Sequence, residues 1–405
     1  MAVGLSPPGN ILPVKGVQLA TTTAGIKRGD QPDLVLILFV PGAVCAGVFT
    51  RNAFCAAPVT VAKRHLAETS PQALLINSGN ANAGTGERGL RDAERSCQLL
   101  AEAVGCAPRE VLPFSTGVIG EDLPMDRIAG AIKRLPDGLA EDAWTRAAAA
   151  LMTTDTVAKA CSRSLDVDGT TVTISGIAKG AGMIRPDMAT MLAFVATDAV
   201  VDHEWLQHCL TAAVDTSFNC ITVDGDTSTN DACMLAATGA SGSRVLDGNC
   251  DHSDLFQAAL TGVCIELAQA IVRDGEGATK FVTVSVDSAA TADEARRVAY
   301  TVAHSPLVKT ALFASDPNWG RILAAVGRAG IADLDINGVR IYLDDVCIVS
   351  DGGRDPDYLE SMGQKVMSRD EVSIFISLNR GSEQATVWTT DLSYDYVKIN
   401  AEYRT

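Results

Sequence analysis

The hydrophobic positions of this chain recur with two different periods. Short apolar runs at Leu34–Val40 and Ala73–Ile76 end at Pro-Gly or Asn-Ser-Gly, which predicts buried β-strands. Over Glu87–Val104 the apolar residues recur at every third or fourth position, and Gly105 follows them. This segment therefore predicts an amphipathic helix that ends at the glycine.

Further helical patterns are followed by a change of period near residue 330. Helices are predicted at Glu141–Met152, over the mostly apolar Leu255–Val272, and after residues 291–294, which match a capping box. The later segments are short and alternating, and they predict a small sheet: Arg340–Val349, Glu371–Leu378 and Gln384–Asp391. We therefore expect an α/β catalytic body over residues 1–280 and a smaller C-terminal α+β domain over residues 281–405.

The charge balance of the chain disfavours one class of partner. Thirty-three Lys and Arg against forty-nine Asp and Glu give a net charge of −16 over 405 residues. An acidic surface repels a phosphate backbone, and no run of basic residues supplies a local exception. We therefore expect no nucleic-acid partner.

Cysteine and histidine usage gives no sign of a metal site. The eleven Cys are scattered singly without CxxC spacing, and the five His form neither HExxH nor a Cys/His cluster. We expect no metal or other cofactor, and cysteines that act mostly as small buried hydrophobes in a reducing compartment. No signal peptide is recognised, and Pro41-Gly42 interrupts the longest apolar stretch. A soluble cytoplasmic protein without a membrane contact is expected.

The segment Pro113–Gly120 is rich in hydroxyl groups and glycine. A loop of this composition can turn a hydroxyl and backbone N–H groups toward one point, as a developing oxyanion requires. The same composition is typical of a tight turn before a helix at Pro124. Both interpretations stay open on composition.

The segment Lys179–Phe194 leads from Gly-Ala-Gly into an apolar strand that opens with Ala189 and Thr190. If the bond between Ala189 and Thr190 is cut, Thr190 gains an α-amino group beside its hydroxyl. The reference pKa of that amine is about 7.7–8.0, so a useful fraction is unprotonated near neutrality. Thr190 would then supply both nucleophile and base. The alternative is an ordinary β-strand threonine packed among Met and Leu.

Two further segments carry clustered charges. In Ile221–Asp231, Asp224 and Asp226 after an apolar strand resemble the nucleophile loop of haloacid-dehalogenase-like phosphatases, but side chains that bond their own turn explain the pattern equally well. The charges of Arg273–Lys280 follow apolar turns directly, so they must be paired or exposed. A ligand-binding role and a solvated helix end both fit that segment.

Ten segments in the same order along the chain carry a resemblance to one family. They are Ala46–Asn52, Asn77–Gly84, Ser115–Glu121, Met152–Thr156, Lys179–Ile184, Met188–Leu192, Thr222–Asp231, Arg273–Lys280, Asp316–Arg321 and Ile399–Thr405. Together they resemble the ArgJ family, the glutamate N-acetyltransferases or ornithine acetyltransferases of arginine biosynthesis. The resemblance extends from residue 46 to the last residue.

The resemblance implies a fold and a processing event. The fold would be a layered α/β body of the self-cleaving ArgJ/DmpA-like type with a smaller C-terminal α+β domain. Self-cleavage between Ala189 and Thr190 would give an α chain of residues 1–189 and a β chain of residues 190–405. Two such αβ pairs would assemble as a heterotetramer.

The resemblance also implies roles for individual residues. Thr190 would be the nucleophile, and the Thr116 hydroxyl with the Gly117 N–H would form the oxyanion hole. The implied substrate contacts are Thr153, Lys179, Thr190, Glu276, Asn400 and Thr405. Lys179 can pair with a substrate carboxylate and Glu276 with an ammonium group, through charge-assisted hydrogen bonds.

The implied reaction is ping-pong acetyl transfer from N-acetylornithine to glutamate through an acetyl-Thr190 ester. Whether acetyl-CoA also serves as donor is left open. The nearest alternative is an N-terminal-nucleophile aminopeptidase or amidase, which passes the acyl group to water. A phosphatase built on Asp224 and Asp226 is a more distant enzyme, and a non-enzymatic amino-acid-binding protein is the alternative from another class.

Overall fold

The structure, a computed structural model, describes residues 2–185 and 191–402. The chain divides into two compact units, the first with residues 7–219 and 226–271, and the second with residues 1–6, 220–225 and 272–405. The predicted division between residues 280 and 281 stays a prediction. The assignment of residues 220–225 to the second unit has no counterpart in the sequence patterns.

The described residues form helices at most of the places where helical spacing occurs. The helices are α1 Ala57–Glu68, α2 Gly86–Val104, α3 Met125–Ile132, α4 Trp144–Leu151, α5 His203–Asp215, α6 Asp251–Arg273, α7 Ala292–Ala303, α8 Pro306–Phe313, α9 Trp319–Gly327, α10 Glu360–Met367 and α11 Tyr394–Ala401. Helix α4 begins at Trp144, later than predicted, because Ala140 pairs with Leu19 in an isolated β-bridge.

Local sequence signals fix two of these helices. Gly105 follows α2 with φ 82°, a left-handed conformation that glycine adopts without steric cost, and its N–H bonds to the carbonyl oxygen of Ala101. The Thr291 hydroxyl accepts a hydrogen bond from the N–H of Glu294 at the start of α7, as the capping motif predicts. These two ends are therefore set by single residues.

The first unit contains two sheets. One has the order β1-β2-β4-β5 and the other the order β3-β9-β8-β7-β6. Their strands are β1 Val17–Thr22, β2 Leu34–Phe39, β3 Val44–Phe49, β4 Ala73–Asn80, β5 Val111–Val118, β6 Lys159–Val167, β7 Thr170–Lys179, β8 Leu192–Thr197 and β9 Ala232–Ala237. One hydrophobic core joins the two sheets, and in it the rings of Phe114 and Phe194 meet edge to face with centroids 5.1 Å apart. This layered packing agrees with the predicted α/β fold class.

The second unit contains a six-stranded sheet with the order β13-β12-β11-β14-β10-β15. Its strands are β10 Phe281–Ala289, β11 Arg340–Leu343, β12 Val346–Ser350, β13 Gly353–Arg354, β14 Glu371–Ser377 and β15 Glu383–Thr390. Val284 of β10 and Val298 of α7 are fully buried in one core. Within the alternating segment Arg340–Val349 the chain turns at Asp344, where φ is 48°, so the segment forms a hairpin of two strands in this sheet.

Helix α6 is long and apolar enough to cross a membrane by length and composition alone. Half of its most apolar window is buried inside the protein. The buried side chains of Phe256, Leu260, Val263 and Leu267 recur at helical spacing. A core helix passes the same test of length and composition, and these four buried side chains form the face with which α6 packs into the first unit.

Candidate active site

Thr116 and Gly117 lie at the carboxyl end of a strand. The interpretation of Pro113–Gly120 as a loop or tight turn is wrong for residues up to Val118, which belong to β5. Strand β5 pairs in parallel with β4, and this pairing overrides the turn-forming composition of the segment. The Thr116 hydroxyl and Gly117 therefore lie near the end of a strand that is held in place by its pairing with β4.

Gly117 is required by its backbone conformation and by its neighbour. Its φ is 136°, and a Cβ added at this position would lie 2.2 Å from the carbonyl carbon of Gly79. Gly79 faces it across the strand pair with φ 105°, next to an irregularity in the register. Only glycine at position 117 lets the two backbones approach this closely.

Lys179 connects the two sheets of the first unit at this point. It is the last residue of β7, only 9% exposed, and its Nζ donates to Oγ1 of Thr116 over 3.1 Å. Because the Thr116 oxygen accepts this bond, the hydroxyl proton of Thr116 remains available for donation to another acceptor. The contact is thus compatible with Thr116 as an oxyanion donor.

A buried carboxylate fixes the segments on both sides of Lys159. Asp155 accepts from Lys159 Nζ over 2.6 Å and from the Gly180 N–H over 2.7 Å with one oxygen, and from the Thr153 N–H over 3.0 Å with the other. Burial alone would raise the pKa of Asp155, but the ammonium groups of Lys159 and Lys179 outweigh it, so the pKa lies below its ordinary value. Asp155 is therefore an ionised group that holds Thr153 and the end of β7 in register.

Lys27 adds a further ammonium group to this cluster. Its Nζ donates to the Ala150 carbonyl oxygen over 2.9 Å. Burial lowers the pKa of Lys27 to about 8, although Asp33 and Asp155 act in the opposite direction and Lys179 adds to the lowering. The lysines around Asp155 give this part of the first unit a local positive charge in a strongly acidic chain, which suits an anionic ligand group.

Asp231 is a second buried aspartate, close to the start of β8, and its pKa shifts in the opposite direction from that of Asp155. Its carboxylate is hydrogen-bonded by Ser228, but within residues 2–185 and 191–402 its buried Oδ2 has no hydrogen-bond partner. Burial raises the pKa of Asp231 well above its ordinary value, against the influence of Ser228 and Lys179. The acid form of Asp231 is therefore favoured at pH values where an exposed aspartate is ionised.

The second unit places Glu276 and Asn400 together. Asn400 lies on α11, and its Nδ2 donates to Oε2 of Glu276 over 2.8 Å. The adjacent Gly277 has φ 69°, and a Cβ there would lie 2.4 Å from the backbone nitrogen of Tyr396. The close docking of the residue 277 turn against α11 thus positions a buried carboxylate beside an exposed amide.

Three predicted site residues lie outside the described residues: Ala189, Thr190 and Thr405. The phosphatase interpretation assumed an apolar strand before Asp224, and this assumption is wrong. Phe218–Cys220 forms a 3₁₀ turn, and Ile221 makes only an isolated bridge to Trp388. Strand β9 follows the acidic loop instead of preceding it.

Sequence reasoning did not single out Lys27, Asp155, Lys159 or Asp231 as site residues. The four-residue spacing of Asp155 and Lys159 could have suggested a pair, and both Asp155 and Asp231 lie inside segments that carry the family resemblance. Lys27 had no local signal. Its relation to the cluster arises from a contact with Ala150, which is 123 residues away along the chain.

Comparison with known proteins places this geometry in a family. The ArgJ family profile matches residues 18–405. The arginine biosynthesis bifunctional protein ArgJ of Methylococcus capsulatus is 58% identical over 98% of this chain and 97% of its own length. The protein of the same name from Pseudomonas fluorescens is 54% identical, with full coverage of both chains.

Part of the chain is also similar to a solved structure. The arginine biosynthesis bifunctional protein argJ of Bacillus halodurans is 40% identical with a TM-score of 0.51, and the match covers 53% of this chain and all of that one. The family profile and the identity of the full-length relatives are sufficient for assignment. This chain belongs to the ArgJ family.

Proposed function

We propose that this protein is a self-cleaving glutamate N-acetyltransferase, an ornithine acetyltransferase of arginine biosynthesis. The observation that carries the proposal is the contact between Lys179 and Thr116, which leaves the Thr116 hydroxyl free to donate beside Gly117 at a rigid strand end. Full-length similarity to proteins named for arginine biosynthesis supports the pathway.

The chemistry is acyl transfer through a threonine ester. Thr190 Oγ attacks the acetyl carbon of N-acetylornithine, and the α-amino group of Thr190 takes the hydroxyl proton. Thr116 and Gly117 donate to the oxyanion of the tetrahedral intermediate. The bond from carbon to the ornithine nitrogen breaks as that nitrogen takes the proton, and acetyl-Thr190 remains. The amino group of glutamate then attacks the ester, which releases N-acetylglutamate and restores the Thr190 hydroxyl.

Charge supports the proposed substrate contacts. Lys179 belongs to the positive cluster of the first unit and would pair with a substrate carboxylate, while the N–H of Thr153 is fixed by its hydrogen bond to Asp155. Glu276 is a buried carboxylate suited to an ammonium group, and Asn400 donates to it. Thr190 and Thr405 complete the proposed set on the strength of the family resemblance.

The relatives' names support a second donor. Those proteins are called bifunctional, and we assign the second activity to acetyl transfer from acetyl-CoA to glutamate. The α chain of residues 1–189 and the β chain of residues 190–405 would remain associated, with two pairs in a heterotetramer located in the cytoplasm. A purified sample of the expected size with both fragments in equal amounts would support the assembly.

Two substitutions test the proposed reaction. Thr116→Ala removes one oxyanion donor, which costs about 2.7–4 kcal/mol and should slow transfer from N-acetylornithine to glutamate by roughly a hundredfold or more. Thr190→Ala should remain a single inactive chain. A normally split Thr190→Ala protein would rule out the scheme.

The same assays separate the rivals. An aminopeptidase or amidase would release acetate from N-acetylornithine whether or not glutamate is present. A non-enzymatic amino-acid-binding protein would stay an intact 405-residue chain on a denaturing gel. The transferase should give two bands of similar size and release little acetate without glutamate.

A further inference from the structure

Three strands bring their ends to one edge of the five-stranded sheet. Strand β7 ends at Lys179, which pairs with Leu192, and β9 begins at Ala232, which pairs with Leu192 from the other side. The N–H of Ala232 donates to the carbonyl oxygen of Met191 over 3.0 Å. Asp231 therefore stands beside the residue that directly follows Thr190 in the chain.

The loop that carries Asp231 is firmly held. Its own carbonyl oxygen accepts from the N–H of Thr50 over 2.9 Å, and Asn230 Nδ2 donates to the Ala81 carbonyl oxygen over 2.6 Å. The N–H of Ala56 donates to the Thr229 carbonyl oxygen over 3.0 Å. The carboxyl group of Asp231 is thus placed with little freedom, although in the described part of the chain its buried Oδ2 bonds to nothing.

An unpaired buried oxygen destabilises the folded protein, so its presence calls for an explanation such as a catalytic role. We infer that Asp231 is the general acid of self-cleavage and gives its proton to the nitrogen of Thr190. The inference rests on the proposed role of Thr190 as nucleophile at the cleaved bond. Ser228 bonds to the carboxyl group already, so the unpartnered Oδ2 is the position for the acidic proton.

The proposed step balances without a further reactant. The Thr190 hydroxyl oxygen bonds to the carbonyl carbon of Ala189, and the bond from that carbon to the Thr190 nitrogen breaks. The nitrogen takes the proton from Oδ2 of Asp231, and the hydroxyl proton passes to the carboxylate left behind, so Asp231 ends the step protonated. Water then hydrolyses the ester and leaves a carboxylate on Ala189 and a free Thr190 hydroxyl.

A general acid requires the protonated form of the carboxyl group. Burial raises the pKa of Asp231 well above its ordinary value, so the acid form persists where an exposed aspartate would be ionised. Asp155, which is ionised by its lysine neighbours, could not donate in this way.

The test follows cleavage in time with the full chain. Radiolabelled protein made by cell-free translation is chased and separated on denaturing gels. Asp231→Asn keeps the shape of the side chain but has no acidic proton, so cleavage should slow by roughly a hundredfold or more. Asp198→Asn is the matched control, because Asp198 is a buried carboxyl at the other end of β8 and accepts from the Thr173 N–H over 2.8 Å. The control should cleave at the wild-type rate.

A second pair of variants tests whether slow cleavage results from misfolding instead of the loss of an acidic proton. Asp231→Glu and Asp231→Gln have the same size and differ only in the acidic proton, so the Glu variant should cleave faster. The wild-type cleavage rate should also fall as the pH rises and the acid form of Asp231 is lost.

Several results would overturn the inference. They are wild-type cleavage in Asp231→Asn, equal slowing in Asp198→Asn, a Gln variant as fast as the Glu variant, or a wild-type rate that only increases with pH. If Thr190→Ala itself were cleaved, the proposed function would fail. If Thr190→Ala stays intact while Asp231→Asn cleaves normally, only the role of Asp231 fails.

Discussion

Two regions of the first unit each bury an aspartate, and the two carboxyl groups behave in opposite ways. At Asp155 an ammonium group and two backbone N–H groups approach within 3.0 Å, and the pKa falls. At Asp231 the carboxyl group has Ser228 beside it, and its pKa rises. Burial is common to both, so the number and charge of the donors decides which aspartate is ionised.

The largest expected effect comes from removing the countercharge of Asp155. Lys159→Met leaves a buried carboxylate without the ammonium group that lies 2.6 Å from it, which should lower the free energy of unfolding by about 3–5 kcal/mol. Urea unfolding measures the change. As a control, Arg163→Met breaks an exposed ion pair with Glu266 and should cost at most about 1 kcal/mol. Equal losses in the two variants would contradict the contrast.

The next effect comes from neutralising Asp155 itself. Asp155→Asn should lower the free energy of unfolding at pH 7 by about 2–3 kcal/mol, because Lys159 loses its buried partner. The folded pKa of Asp155 lies below the unfolded value of about 3.9, so its contribution is present above that pH and is lost as pH falls further. Urea titrations should therefore show the two proteins converging in stability as the pH is lowered below about 4. A constant difference would contradict the ionised state.

Asp231→Asn should increase the free energy of unfolding at neutral pH, whereas Asp155→Asn should decrease it. The folded pKa of Asp231 is raised, so the folded state holds a proton that the unfolded state loses as pH rises above about 3.9. Wild-type stability is therefore reduced above that pH, and the Asn variant avoids the reduction. Relative to wild type, the variant should therefore become progressively more stable as the pH rises from 4 to 7. Calorimetry that showed a loss over this interval would contradict the neutral carboxyl group.

The smallest effect concerns Lys27, at the border of the Asp155 region. Its folded pKa of about 8 lies below the unfolded value, so its unfavourable contribution is present below pH 8 and is relieved toward about pH 10.4. Solvent screening limits the effect to a few tenths of a kcal/mol. Lys27→Met should remove this part of the pH dependence in urea unfolding, while Lys133→Met, at an exposed lysine, should leave it unchanged.

Local signals in the sequence predicted much of the fold. The run at Leu34–Val40, the helix before Gly105 and the cap at Thr291 depend on neighbouring residues, and each appears in the structure. The strand through Thr116 was missed because its Ser, Thr and Gly residues favour turns, and only pairing with β4 reveals the extended backbone.

Part of the candidate site was also predicted from the sequence. Thr116, Gly117 and Lys179 lie in segments that carry the family resemblance, and the structure brings Thr116 and Lys179 together. The opposite ionisation of Asp155 and Asp231 was beyond sequence reasoning, because it depends on donors that the fold collects. The Gly180 N–H reaches Asp155 from 25 positions away along the chain.

The strand order of the five-stranded sheet has a consequence for a severed chain. A cut before residue 190 would leave β3, β6 and β7 on one fragment and β8 and β9 on the other, yet β9 is paired with β3 and β8 with β7. Each of these two strand pairs contains six residue pairs, and none of them includes the peptide bond before residue 190. Cleavage of that bond would therefore leave the hydrogen bonds between the strands in place. The two fragments would remain hydrogen-bonded in one sheet and should separate only when that sheet unfolds.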